Sequence, residues 1–179
     1  MTSDLRTYTG RLARITEILE PYLHVSEYVL ATPESNPLDR LNGLACRWFD
    51  RRTAQPTVSV FIDELEDVDR PLASLRDDVD GNGDLEPGSV TEVPGSGPGE
   101  YVCLRHYVNA LTAIVGNCQV SLSAPGDLTA LVEPALEVGR SVGCAAYLDD
   151  FVRPPLPDEW RPTNWGVGPG IPGFPPGPP

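Results

Sequence analysis

Between Glu100 and Ser123 the chain breaks into three short apolar runs separated by turn residues, and this stretch constrains the fold more than any other. The runs are Glu100 to Val108, Ala110 to Val115 and Cys118 to Ser123. Gly116-Asn117 is a two-residue hairpin signal, because both types tolerate the positive φ that a tight turn needs. Asn109 can turn the first pair for the same reason. Together the runs predict an antiparallel meander. Upstream, Leu44 to Phe49 and Thr57 to Ile62 predict a second pair of strands around a polar turn at Asp50 to Pro56, with Val58, Val60 and Ile62 on one face.

Helical spacing brackets these strands. Leu5, Tyr8, Leu12, Ile15, Leu19 and Tyr22 recur at intervals of three and four, which places them on one side of a helix. Ser3 or Asp4 is the expected cap, and Arg6, Arg11, Arg14, Glu17 and Glu20 keep the other side wet. Pro21 should end or kink this helix near Glu20, with a short second turn from Glu27 to Ala31. The apolar seam has two readings: it lies on the protein's own sheet, or it docks a second protein through Leu5, Tyr8, Leu12 and Ile15. Downstream, Asp127 caps a helix through Leu128, Leu131, Val132, Leu136, Val138 and Val142, interrupted by Pro134 and ending near Gly143-Cys144. The resulting expectation is an α+β fold, an antiparallel sheet with helices packed on one face, as a single domain over 1–153. Two segments stand apart from it. From Asp63 to Glu86 ten acidic residues face two arginines, and Pro87 to Gly99 is rich in Pro, Gly and Ser, so 63–99 reads as a long acidic loop. From Pro154 to Pro179 a Pro/Gly-rich tail carries Trp160, Trp165 and Phe174, and is expected to be extended or disordered.

Charge narrows the partners. The formal net charge is −13, from 26 acidic residues against 13 basic ones. Every basic residue is arginine. Nucleic acid is excluded as an expected partner, since phosphate binding needs a basic stripe. A protein partner with a basic surface, self-association, or a cation suits the balance better. No run approaches the roughly 20 apolar residues of a membrane span, and the N-terminus lacks the charged and apolar regions of a secretory leader.

Chemistry-bearing residues are few. Asp78, Asp80, Asn82 and Asp84, with Gly83 at the sixth position and Leu85 at the eighth, follow the register of a calcium loop, and Glu86 adds a carboxylate. Ser89 stands where the bidentate Glu belongs and Pro87 breaks an exiting helix, so the loop is degenerate; calcium is the single cofactor expected, if any, and a solvated acidic turn is the alternative. Cys46, Cys103, Cys118 and Cys144 lie in or beside apolar runs without metal spacing. They read as two disulfides, Cys103–Cys118 with Cys46–Cys144 among three connectivities, or as four buried thiols. His24 follows a helix end and His106 lies mid-strand, with no nucleophile and base legible beside either. An enzyme is therefore not expected.

Cys46-Arg-Trp48, then Gly116-Asn-Cys118-Gln-Val120-Ser-Leu122, then the helix from Leu128 to Cys144 resemble segments of actinobacterial exported lipoprotein and sensor domains. The resemblance spans about residues 40–148. It implies an extracytoplasmic, disulfide-bearing α+β domain that binds or senses without catalysis. An intracellular structural or assembly subunit with reduced thiols is the competing expectation.

Overall fold

The computed structural model describes residues 5–30, 44–65, 67–80 and 88–143. The first helix, α1 (Tyr8–Leu23), starts later than expected, because the Thr7 side chain caps it by accepting the Gly10 amide at 3.0 Å. Leu5 therefore precedes the helix, where its carbonyl accepts from Arg11 Nε at 2.7 Å. Arg11 is buried rather than on the wet face, its stem covered and its head tied back to the backbone. Pro21 does not break α1. It stands in the last turn, and the helix runs on to Leu23, where left-handed His24 closes it with an N–H bond to the Glu20 carbonyl. A 3-10 turn at Val25–Glu27 then leads into the short strand β1 (Val29–Leu30), in place of the expected second helical turn.

Strands β2 (Leu44–Phe49) and β3 (Pro56–Glu64) form the expected pair. Asp50 organises the turn between them, its carboxylate accepting the amides of Arg52 and Thr53. The acidic segment is more structured than a loop. It holds α2 (Asp69–Val79) and the strand β4 (Val90–Pro94). The helix was hidden because its apolar stripe, Leu72, Leu75 and Val79, is only three residues wide among acids. The meander follows as β5 (Glu100–Arg105), β6 (Ala110–Val115) and β7 (Cys118–Ser123). Asn109 adopts the left-handed conformation expected of it, at the end of a 3-10 turn over His106–Val108. His106 is thus on an exposed tip and not within a strand. Finally Asp127 caps a 3-10 turn at Leu128–Leu131 that feeds α3 (Val132–Val142), and Pro134 is accommodated in the first turn of α3, where no intrahelical donor is lost.

The seven strands form one antiparallel sheet in the order β1-β2-β3-β7-β6-β5-β4. Two meanders, β1-β2-β3 and β4-β5-β6-β7, therefore meet along the β3–β7 seam, from Ser59↔Ser123 to Glu64↔Cys118. Helices α1 and α3 pack on one face, as expected, α3 on β6 and β7 and α1 on α3. Alternation sends Cys46, Trp48, Val58, Val60, Ile62, Val102, Leu104, Leu111, Val120 and Leu122 into this layer, where they meet Ile15, Leu19 and Leu136. Each large side chain so buried contributes roughly 1.5–3 kcal/mol. The passage from β3 to β4 crosses the opposite face. There α2 covers the β4–β5 edge with a second, smaller cluster of Leu75, Val90, Tyr101, Cys103 and Ile114. Arg105 fixes α2 in place, bonding Asp78 at 2.9 Å and the Thr112 hydroxyl at 2.8 Å.

Candidate functional site

The outer side of α1, turned away from α3, forms a shallow groove with the 3-10 turn and β1. Its volume is about 650 Å³, and it is lined by Thr9, Leu12, Ala13, Thr16, Glu17, Glu20, Ser26 and Leu30. The helix period explains the lining: positions 9, 12, 13, 16 and 20 fall on one side, while Ile15, Ile18 and Leu19 fall on the other and enter the core. Its polar groups at Thr16, Glu17, Glu20 and Ser26 are engaged within the protein. Thr16 donates its hydroxyl to the Leu12 carbonyl at 2.8 Å. Glu20 accepts both the Ser26 hydroxyl, at 2.6 Å, and the Ser26 amide, at 2.8 Å. Those bonds, the hydroxyl's foremost, hold the Glu20 carboxyl below its ordinary range. Glu17 takes Arg14 at 2.9 Å, and Arg14 also reaches Glu137 of α3 at 3.0 Å. What remains to face an incoming molecule is the apolar surface of Leu12, Ala13 and Leu30 between two carboxylates.

The docking residues expected from the seam divide differently. Ile15 is fully buried against the protein's own core, so the seam serves the fold. Leu12 sits at the margin, packing on the core and lining the groove at once. Leu5 is half-buried before the helix, and the Tyr8 side chain lies outside the described residues, as do Trp160, Trp165 and Phe174. Thr9, Ala13 and Thr16 were missed because small residues on a polar side carry no periodic apolar signal, and Leu30 because it comes from another element, β1.

Of the two sulfur readings, the Cys103–Cys118 disulfide is corrected. Cys103 and Cys118 stand on β5 and β7 with β6 between them, and they point into opposite faces of the sheet. No disulfide joins such positions, whose Cβ vectors diverge. Cys46, Cys103 and Cys118 are buried thiols, and Cys144 lies outside the described residues. Burial pushes the Cys103 thiol above its ordinary range, with Arg105 pulling weakly the other way. Such a thiol is a poor nucleophile.

Of the proposed calcium ligands, Asp78 is on α2 and spends an oxygen on Arg105, and Asp80 caps the helix end. Asn82, Asp84 and Glu86 lie outside the described residues. Among the described residues, no group of three or more His, Cys, Asp or Glu side chains is placed to hold a metal ion. The His106 ring meets the Thr91 hydroxyl at 2.9 Å beside exposed Tyr107 and Val108. No described helix is long and apolar enough to cross a membrane.

Residues 7–161 match a family model described as a domain of unknown function, DUF7956. No curated protein and no solved structure matches the chain.

Proposed function

We propose, for a chain that belongs to the DUF7956 family, a non-catalytic role as a binding or accessory domain acting by protein–protein contact. One observation carries this reading: the α1 groove offers an apolar floor of Leu12, Ala13 and Leu30, and its Thr16, Glu20 and Ser26 side chains are already bonded inside the protein. A groove of that kind rewards apolar burial along its floor. The flanking Glu17 and Glu20, on a chain of net charge −13, favour a short apolar segment flanked by Lys or Arg. Peptides selected against the purified protein from a random display library should share that pattern and perturb the amides of residues 9–30. Ala13→Arg, at an exposed position, should weaken them about tenfold or more, roughly 1.4 kcal/mol, without lowering the melting temperature. Equal binding to this variant would remove the groove from consideration.

The resemblance to exported domains supports an extracytoplasmic setting. The buried thiols support the second reading, an intracellular assembly subunit. A thiol count in non-reducing denaturant separates them: four reactive thiols favour the intracellular subunit, none the exported domain.

A further inference from the structure

The backbone phase of β4 is fixed by its ladder with β5. Among the described residues β4 has a neighbour on that side only. The His106 amide donates to the Ser89 carbonyl at 2.8 Å, and Val90 stands opposite Arg105. In an antiparallel pair, bonded and non-bonded positions alternate. Ser89, Thr91 and Val93 therefore turn their backbone groups toward β5, while Val90, Glu92 and Pro94 turn theirs outward. Pro94 fits this phase, because a strand tolerates proline where no ladder donor is lost. The outer edge thus offers the amides of Val90 and Glu92 and the carbonyls of Val90, Glu92 and Pro94. The edge at the other end of the sheet, β1, is only two residues long.

Side chains give the β4 edge a sign. Val90, Glu92 and Pro94 stand opposite Arg105, Cys103 and Tyr101, on the side that α2 covers. Val90 enters the α2 cluster, whereas Glu92 is exposed. Asp80, at the end of α2, is also exposed. Its charge acts with that of Glu92 on the Tyr101 hydroxyl, whose pKa burial foremost pushes up to about 12. Thr91 and Val93 point to the other side of the sheet, where Thr91 takes the His106 ring and Val93 packs against the main core. A second copy would bring its own Glu92 and a net charge of −13 to this edge, so like charges oppose self-pairing. A strand with Lys or Arg opposite Glu92 and an apolar residue beside Val93 gains where the copy loses.

We propose that β4 is a strand-addition site, at which an extended basic segment of another protein continues the antiparallel sheet through the outward groups of Val90 and Glu92. The α1 groove adjoins β1, at the opposite end of the strand order, so the failure of either proposal leaves the other standing.

The test adds to the full chain a blocked synthetic peptide of alternating Lys and Val, long enough to span β4. At saturation, amide hydrogen exchange at Val90 and Glu92 should slow about tenfold or more, while Thr91 and Val93, already bonded to β5, change little. N-methylation of the peptide at its Lys amides removes the donors that would face β4 and keeps every charge. It should weaken binding about tenfold or more, and so should Glu92→Lys at its exposed position. Undiminished binding of the methylated peptide would reduce the contact to charge alone and overturn the proposal. Three other results also overturn it: no slowing at Val90 and Glu92, slowing confined to residues 9–30, or slowing at β4 that follows protein concentration without peptide.

Discussion

Tyr101 carries a hydroxyl with no hydrogen-bond partner. Its side chain is buried in the α2 cluster, and Arg76 covers the ring at 5.8 Å. A buried hydroxyl without a partner has lost its water and gained nothing in return. Burial, aided by the charge of Glu92, pushes its pKa from 10.0 up to about 12. Because the folded value is the higher one, the neutral phenol contributes stability below pH 10, and this is lost as pH rises through about 12. Tyr101→Phe should therefore stabilise the protein by about 1 kcal/mol at neutral pH. It should also flatten the fall in melting temperature between pH 10 and 12, as read by circular dichroism. An unchanged alkaline slope would place the titrating group elsewhere. Nothing in the local sequence around Tyr101 announces this, because the residue that covers it, Leu75 of α2, is distant in sequence.

The helices show why some elements were readable and others not. α1 and α3 announce themselves through broad apolar faces, and the meander through Asn109 and Gly116-Asn117. Proline misled at both helices: Pro134 falls in the first turn of α3, where its missing donor costs little, and Pro21 falls in the last turn of α1, with only Tyr22 and Leu23 left to follow. The docking of α3 rests on a feature that spacing cannot reveal, the absence of a side chain at Gly139. Gly139→Val would drive a branched side chain into Val115 and should cost about 1–3 kcal/mol in urea unfolding. The same helix is clamped by Arg140, which bonds Glu100 and Glu133, each at 2.6 Å, and Ser96 of the β4–β5 turn at 2.6 Å. Arg140 holds the Glu100 carboxyl below its ordinary 4.5, with burial acting in the opposite direction. A depressed value contributes stability above pH 4.5 that disappears as pH falls through the folded pKa. Glu100→Gln should lower the melting temperature at pH 7, and the loss should shrink as pH falls below 4.5; an equal loss at every pH would assign the effect to packing.

At the scale of the whole molecule, the α+β architecture was legible because strand alternation and turn residues act locally. The faces were not, because which side of a sheet a crossing segment covers depends on contacts far apart in sequence. Cys103 and Cys118 therefore read as a pair from their apolar runs, although the sheet separates them. The groove was illegible for a related reason, since it is made of what α1 leaves unused, closed off by Leu30 from another element.

Sheet order carries a further consequence. The first meander and α1 come from the N-terminal half, the second meander and α3 from the C-terminal half, and they are joined by β3 against β7 and by α1 against α3. A polypeptide cut once within residues 81–87 should stay assembled, its two fragments co-eluting and melting together, as complementing halves do.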